Sequence, residues 1–398
     1  MKKKRIMILG ANDGQVKVIE KALHLGYYVI TADIHKDAPG HTISDEQLYI
    51  DITNKDIVLQ EALRLHIDGI TPYWSDILAP VSTFVAEQMN IPGNSIRTIE
   101  LMTHTQLFRQ FLADNGFPAP KAKGCRTIEE AIAFFNSIDT PAIMKPVDSS
   151  GSKGVFKICT KENIMEYFNE SMKYSIQGIV ILEEFIETDL PQQDGDIFVI
   201  DGRVSLWGIC EQHKDTCLAP YTPASLILPS SIDRETDEKA RRLIQELITA
   251  LNYRIGPCNV EYIVSRDGRI FILDIGPRNG GNMIPQVIHH ALGYDITSMT
   301  LQAAVGDNIT IKEEPHELYA ASIIVHTDRE GVYHGITIDK HLQQHFCDSI
   351  YLKKKGESVS RFRSGKDTIA CLVFSFSNKE EMDMALDPEH IKVYVSEV

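Results

Sequence analysis

The sequence predicts a protein of mixed α/β and α+β class, with an N-terminal open parallel α/β domain, a middle α+β domain and a small β-rich C-terminal domain. Two observations lead to this prediction. Up to about residue 95, short apolar strands alternate with helical segments, which is typical of a parallel sheet. Further along, apolar strands come in pairs around glycine-containing turns, which is typical of antiparallel hairpins. The expected domains are 1–95, 96–312 and 313–398.

Bulk composition narrows the function classes. The 398 residues carry a formal net charge of −15, which argues against binding of nucleic acid. No apolar run has the length of a membrane span, and the apolar stretch after the basic N-terminus is too short for a signal peptide. The seven cysteines form no CxxC pair, so we expect free thiols in a reducing cytoplasm.

The N-terminal domain alternates three short apolar strands with three helices. A dinucleotide site with Asp33 on a ribose is the alternative, but the turn Gly10–Gly14 lacks the third glycine and the spacing of that motif. The loops Asn12–Gln15 and Tyr73–Asp76 follow predicted strands, so they are candidates for a substrate site or else ordinary surface turns. The strands are predicted over 5–10, 28–32 and 67–71, and the helices over 14–25, 53–66 and 76–90.

The middle domain begins with a long amphipathic helix and the extended segment Phe117–Pro120, where residues before proline avoid the helical region. A mobile lid subdomain is expected over about 118–188. Thr127 and Glu130 form a capping-box pattern at the start of its first helix. The helices are predicted over 98–115, 127–137, 161–173 and 233–252.

The segment Ile143–Val155 carries the most specific chemistry. An apolar strand ends at Lys145, and a loop rich in glycine and serine follows, with a second lysine at Lys153. Lys145 can hold a phosphate as a fixed charge, and the loop can lay backbone N–H groups over phosphate oxygens. We interpret the segment as a lid over a nucleoside triphosphate; a surface hairpin with chance lysines is the alternative.

A second motif is a hairpin over 258–275, with Asp267–Gly268 between two apolar runs. If those two residues form the turn, counting outward places Glu261 opposite Asp274 and Ile263 opposite Ile272. Facing carboxylates in a half-buried place repel each other, and a hard cation such as Mg²⁺ between them removes the conflict. Two exposed acids on a strand edge are the alternative.

Two neighbouring segments add candidate ligand contacts. Directly after the hairpin, Arg278 could fork onto a phosphate or carboxylate, and Gly280–Gly281 lets the backbone approach a ligand closely. The strand 179–182 runs into Glu183–Ile186, whose backbone can present one C=O and one N–H to an adenine edge. A turn with a solvated arginine and an ordinary acidic strand end are the alternatives.

Taken together, these residues resemble the ATP-grasp superfamily, in the branch of carbamoyl-phosphate-synthase large-chain-like and purine-biosynthetic ligases. The resemblance spans about 5–310 and implies an ATP-grasp fold with a mobile lid. Glu261 and Asp274 then resemble the metal ligands, and Lys145 and Arg278 the catalytic residues. The residues implied to bind the nucleotide are Lys145, Ser149, Ser150, Gly151, Ser152, Lys153, Gly154, Glu183, Glu184, Phe185 and Ile186.

Three departures from the family pattern stand out. Near Thr105 many members have a lysine that contacts phosphate; this contact is lost here unless His104 or Lys153 replaces it. Gly276 stands where many members have an asparagine metal ligand. Near Leu190, where many have a glutamate on the ribose, the position is apolar; the substitutes considered are Asp189 and Asp194.

The resemblance implies an ADP-forming ligase that activates a carboxylate as an acyl phosphate for attack by an amine. ATP and Mg²⁺, with Mn²⁺ as an alternative ion, are the expected cofactors. The expected partners are a small-molecule carboxylate and an amine, without nucleic acid or membrane, and a homodimer is left open. A non-catalytic, regulatory ATP-binding member and an NAD-dependent oxidoreductase are the competing hypotheses.

Overall fold

We describe a computed structural model of the chain, which covers residues 2–149, 151–314, 316, 318–386 and 388–396. The candidate Ser150 therefore lies outside the described residues. Among the described residues, no helix is both long and apolar enough to cross a bilayer.

The N-terminal domain is the predicted open parallel sheet, with strand order β3-β2-β1-β4. Residues Ile6–Leu9 of the inner strand β1 are fully buried because their apolar side chains face helices on both sides of the sheet. The short strand β3 was not predicted, since only Leu48 of its four residues is buried. The elements are β1 Arg5–Leu9, α1 Asp13–His24, β2 Tyr28–Asp33, β3 Glu46–Tyr49, α2 Lys55–Leu65, β4 Gly69–Thr71 and α3 Ala79–Met89.

The long helix predicted over 98–115 is two helices, α4 Ile96–Thr103 and α5 Thr105–Asp114. The chain breaks at His104, whose backbone is extended and whose ring caps the start of α5 by accepting from the Leu107 N–H. The Thr105 N–H donates to the Val147 carbonyl at 3.1 Å. This long-range bond to the lid overrides the local helical preference of the segment.

The lid is a four-stranded antiparallel sheet with order β5-β8-β6-β7, covered by two helices. The predicted hairpin is present, because β6 pairs with β7 across the glycine- and serine-rich loop. Thr127 accepts a hydrogen bond from the Glu130 N–H at 3.3 Å, as the capping pattern predicts. The elements are β5 Ala122–Cys125, α6 Ile128–Phe135, β6 Ala142–Pro146, β7 Phe156–Ile158, α7 Lys161–Met172 and β8 Val180–Glu184.

The largest sheet has eight strands in the order β13-β12-β9-β10-β11-β14-β18-β16, of which β14 (Tyr319–Val325), β18 (Ala370–Phe376) and β16 (Phe346–Tyr351) come from the C-terminal part. The strands β9 to β11 were missed, although Asp201–Gly202 between β9 and β10 is the same hairpin signal as Asp267–Gly268. Both residues of that turn have positive φ, as a tight two-residue turn requires. The elements are β9 Gln192–Ile200, β10 Arg203–Lys214, β11 Pro223–Leu228, α8 Arg234–Leu251, β12 Gly256–Val264, β13 Ile270–Gly276, α9 Ile284–Leu292 and α10 Ile296–Ala304.

The C-terminal part is rich in strands, as predicted, but three of them continue the large sheet. The strand β14 pairs with β11, and β18 and β16 follow it, so the boundary predicted near residue 312 does not separate two sheets. A smaller sheet has the order β17-β15-β19. The elements are β14 Tyr319–Val325, β15 Gly331–Ile338, α11 Lys340–Gln343, β16 Phe346–Tyr351, β17 Ser358–Val359, β18 Ala370–Phe376, α12 Lys379–Ala385 and β19 Ile391–Ser396.

Candidate active site

A cleft of about 920 Å³ lies between the lid sheet, the large sheet and the loop after β4. A second cavity, of about 1030 Å³, lies between β10, β11, β14 and the C-terminal elements, and it shares only a short stretch around Lys214 with the cleft. We assign the candidate site to the cleft rather than to the second cavity, because the predicted site residues line the cleft. Those lining it are Lys145, Ser149, Gly151, Ser152, Lys153, Glu183, Glu184, Phe185, Ile186, Glu261, Asp274 and Arg278.

The strand end at Lys145 carries a buried charge cluster. The Lys145 Nζ lies 3.1 Å from one oxygen of Glu183, and the Arg109 Nε lies 2.8 Å from the other. Burial alone would raise the pKa of Glu183, but Arg109 and Lys145 hold it below its ordinary value. Glu183 thus positions Lys145, and sequence reasoning missed Arg109, whose guanidinium also donates to the Leu273 carbonyl at 2.6 Å.

The segment Glu183–Ile186, predicted to meet adenine through its backbone, lines the cleft. The Glu183 side chain belongs to the charge cluster with Arg109 and Lys145. The N–H groups of Glu184 and Phe185 already donate to the Lys121 and Pro141 carbonyls, each at 2.8 Å. Ile186 follows directly after these bonded residues and lines the cleft, so its N–H is the best-placed donor of the segment.

The glycine- and serine-rich loop packs against distant parts of the chain. The Ser152 hydroxyl donates to the Tyr221 carbonyl at 2.8 Å, and the Gly365 N–H donates to the Gly151 carbonyl at 3.1 Å. Gly154 does not line the cleft; a Cβ there would lie 2.9 Å from the Tyr174 ring. The positive φ of Gly151 and Ser152 turns the loop over the cleft, as expected of a segment that covers a ligand.

The pairing of β12 with β13 confirms that Glu261 faces Asp274. Nearer the turn the predicted register is wrong, because Ile263 faces Phe271 rather than Ile272. The loop is one residue wider than the two-residue turn assumed from the sequence. This extra residue shifts the strand pairing by one position near the turn. An irregularity beside Glu261 shifts the pairing back, so Glu261 still faces Asp274.

A third acid joins this pair. Asp194 on β9 faces Glu261 from the other side, so three carboxylates stand in one row across adjacent strands. Burial raises the pKa of Glu261, and Asp194 and Asp274 raise it further. The side chain of Asp274 faces the open cleft. Partial loss of hydration among the surrounding groups raises its pKa, and the nearby carboxylate of Asp76 raises it further.

This row of carboxylates fits a bound cation. Among the described residues, no three His, Cys, Asp or Glu side chains converge tightly enough to hold a metal ion by themselves. Mg²⁺ in nucleotide enzymes is commonly held by one or two carboxylates together with substrate phosphates. Glu261 and Asp274 lie in the same cleft as Lys145 and are the two carboxylates that could belong to such an incomplete set of ligands.

Arg278 is engaged by a residue of the N-terminal domain. Its Nε and Nη2 donate to the two carboxylate oxygens of Asp76 at 2.8 and 2.7 Å. A Cβ at Gly276 would lie 2.6 Å from the Asp76 carboxylate, so the absence of a side chain there makes room for this pair. The loop Tyr73–Asp76, a candidate from the sequence, therefore reaches the site, whereas Asn12–Gln15 does not line the cleft.

Sequence reasoning also missed Lys214, at the end of the unpredicted strand β10. Its Nζ donates to the Gln192 Oε1 at 2.7 Å, and the Gln192 Nε2 donates to Glu261 at 2.7 Å. Burial lowers the pKa of Lys214. Lys214 is therefore linked to Glu261 of the acidic pair by hydrogen bonds through Gln192.

The structure also shows where the possible substitutes for the missing lysine and the missing glutamate lie. His104 points to Gln177 and is not among the cleft residues, so it does not replace the lysine missing near Thr105. Lys153 does line the cleft. Of the two acids considered for the ribose, Asp189 pairs with Arg266 and Asp194 belongs to the carboxylate row.

Comparison with known proteins places these features in a family. A sequence model of the carbamoyl-phosphate synthase L chain, ATP binding domain, matches residues 105–312, which contain the lid and the acidic pair. An uncharacterized protein, y4rH, of Sinorhizobium fredii is 27% identical over 295 residues, which cover 71% of this chain and 59% of that protein. The C-terminal section of the carbamoyl phosphate synthase large chain of Aquifex aeolicus is 24% identical over 222 residues, which cover 56% of this chain but only 40% of that protein.

The whole fold also has a counterpart among solved structures. An L-amino acid ligase from Bacillus licheniformis superposes over 100% of both chains with a TM-score of 0.84 and 19% sequence identity. At that identity the likeness concerns the fold alone. The sequence match and the site geometry agree, and the chain belongs to the family of the carbamoyl-phosphate synthase L chain, ATP binding domain, with the ATP-grasp fold.

Proposed function

We propose that the protein is an ATP-dependent ligase that forms ADP. In this reaction a carboxylate oxygen attacks the γ-phosphorus of ATP, giving an acyl phosphate and ADP, and an amine then displaces phosphate from the acyl carbon. The observation that carries the proposal is the presence of Lys145, the Glu261–Asp274 pair and Arg278 in one cleft. Phosphoryl transfer needs positioned charges of this kind more than it needs covalent chemistry from the protein.

Each group has a role that follows from its place. Lys145, held by Glu183 at 3.1 Å, presents a fixed positive charge for the phosphates at the mouth of the loop Ser149–Gly154. Glu261 and Asp274 would hold Mg²⁺, or Mn²⁺ in its place, which supplies charge neutralisation at the phosphates when bound. The loop excludes water, which an acyl phosphate requires because water would hydrolyse it.

Arg278 has donors to spare for the acid substrate. Three of the five N–H donors of a guanidinium are used here, two by Asp76 and one by the Asn279 carbonyl at 3.2 Å. The remaining two can fork onto a substrate carboxylate or the transferred phosphoryl group. We propose that Asp76 orients Arg278 for this contact.

A screen for ADP release tests the proposal. The protein is incubated with Mg²⁺ and ATP and a panel of carboxylic acids, with and without a pool of amines, and ADP is measured. The expected result is release that depends on one class of acid and rises with an amine. The Lys145→Ala protein serves as the negative control, and Lys123→Ala, on the exposed side of the same lid sheet, as its matched comparison.

The screen also separates the competing hypotheses. A regulatory member would bind ATP but release no ADP with any acid, and the lysine missing near Thr105 is the observation that favours it. An NAD-dependent oxidoreductase is disfavoured because Asp33 accepts the N–H groups of Ala11 and His35 at 2.9 Å, which ties it to its own turn. We place the protein in the cytoplasm, since its seven cysteines are free thiols.

A further inference from the structure

We infer that one substrate of the proposed ligase is an α-amino acid with an apolar side chain, held at the end of the cleft between Trp74 and the Asp76–Arg278 pair. This inference rests on the proposed function, which it deepens by naming a substrate class. Three groups of contacts support it: an apolar wall, a carboxylate for the ammonium group and a guanidinium for the carboxylate.

The apolar wall lines the same cleft as Arg278 and comes from three parts of the chain. Trp74 belongs to the loop after β4, and it packs on a buried apolar cluster formed by the large sheet and α9. The same cleft surface continues onto the C-terminal strands β16 and β18. Such a surface gains from contact with an apolar group and loses from contact with a charged one. The residues of the wall are Trp74, Met283, Ile350, Leu352 and Cys371.

The position of Trp74 is built into the fold. Its backbone has a φ of 58°, a conformation that is rare and strained for a bulky residue. A Cβ at Gly14 would lie 1.4 Å from the Trp74 ring, so the ring fills the space beside a glycine of α1. Met283, another residue of this wall, also has a positive φ, of 62°. Backbone strain at two residues that line one cavity is typical of a ligand site.

Asp76 provides the counterion for an ammonium group. Its side chain is 23% exposed, although both oxygens accept from Arg278. Each carboxylate oxygen can accept a second hydrogen bond, so an ammonium group can bind without breaking the ion pair.

Arg278 provides the site for the substrate carboxylate, through the two donors that Asp76 and Asn279 leave over. An ammonium on Asp76 and a carboxylate on Arg278 would then lie side by side, as they do on the α-carbon of an amino acid. Trp74 precedes Asp76 by two residues, so the apolar side chain would fall against the indole.

The indole itself can report binding. The chain has two tryptophans, and Trp207 is distant from the cleft on β10, where it donates to Asp237. In the Trp207→Phe protein all tryptophan emission comes from Trp74. We would titrate this protein with L-leucine, L-aspartate, L-lysine and 4-methylpentanoate, which is leucine without its amino group. Calorimetric titration of the unchanged protein with the same four compounds covers the case in which the variant does not fold.

The expected result is saturable binding of L-leucine, with binding of the other three compounds weaker by about 10-fold or more, because each leaves a charged group unpaired or places one on the apolar wall. Asp76→Asn should lower the ratio of leucine affinity to 4-methylpentanoate affinity by a similar factor, because loss of the counterion affects leucine alone, whereas any change in the orientation of Arg278 affects both compounds. Equal binding of leucine and 4-methylpentanoate would overturn the inference, as would absence of leucine binding in a protein that Mg·ATP still stabilises. Leucine binding without ADP release for any acid would instead overturn the ligase function and leave the amino-acid site standing.

Discussion

Arg109 and Glu183 form a buried ion pair, with 2.8 Å between the Arg109 Nε and the Glu183 Oε1. The pair joins α5 to β8 of the lid, and Glu183 forms a second ion pair with Lys145. Arg109 also donates to the Ile272 and Leu273 carbonyls beside Asp274. Through Glu183, Arg109 therefore connects Lys145 of the lid with the strand of the large sheet that carries Asp274.

Replacing Arg109 tests this connection. Arg109→Ala should destabilise the protein by about 3 kcal/mol or more, because it leaves the Glu183 carboxylate buried with Lys145 as its remaining partner. Urea unfolding measures the change. A loss below about 1 kcal/mol would contradict the central role of the pair. The exposed Arg126, on the lid, provides a comparison, and Arg126→Ala should cost much less.

Lys145 should matter for turnover more than for folding, since its side chain is partly exposed in the cleft. Lys145→Ala is expected to lower ATP turnover by about 100-fold or more if the lysine contacts developing phosphate charge. Lys123→Ala on the same sheet should leave turnover unchanged. If Lys145→Ala turned over ATP as fast as the unchanged protein, the segment Ile143–Val155 would be a surface hairpin without a role in catalysis.

Glu261 and Asp274 should act as a pair. Glu261→Gln and Asp274→Asn should each raise the Mg²⁺ concentration that gives half-maximal activity. The double variant should cost much less than the two single effects combined, because residues that serve one ion are not additive. Independent, additive effects would argue that the two carboxylates do not share a cation.

The raised pKa of Glu261, from 4.5 to about 8, predicts a pH dependence of the metal-free protein. In that window the folded state holds a proton that the unfolded state has lost, so the free energy of unfolding should fall as pH rises from about 4.5 towards about 8. Mg²⁺ should reverse part of the loss, because it binds the ionised form. Urea unfolding in a chelator and in Mg²⁺ checks both, and Glu261→Gln should flatten the chelator series. Stability that rises with pH in the chelator would contradict the assignment.

Gly276→Asn, which introduces the family's usual ligand, should harm this protein. Its Cβ would lie 2.6 Å from the Asp76 Oδ1, and the Asp76–Arg278 pair would have to move. We expect a lower melting temperature and a higher Mg²⁺ requirement. Asp76→Ala removes the clashing atoms, so the double variant should be less destabilised than the two single changes added together. If Gly276→Asn alone needed less Mg²⁺ than the unchanged protein, the asparagine would be acting as a metal ligand, and the glycine would not be required for the Asp76–Arg278 pair.

Local patterns in the sequence were enough for much of the architecture. Alternating strands and helices predicted the parallel N-terminal sheet, and glycine-rich turns predicted the lid hairpin and the strand pair that carries Glu261 and Asp274. These features depend on residues a few positions apart, whose spacing sets which side chains share a face. The Asp-Gly pair at 201–202 is the same hairpin signal, so the unpredicted pairing of β9 with β10 could also be predicted from the sequence.

Tertiary structure decided the contacts between elements. The sequence does not indicate that Glu183 would turn to Arg109, 74 residues away, or that Asp76 would meet Arg278, 202 residues away. The break at His104 likewise depends on a bond from Thr105 to the lid. Such pairs form when packed layers bring distant strand ends together and burial leaves a charge no better partner than the opposite charge nearby. No local periodicity encodes that meeting, because it is set by how the layers pack.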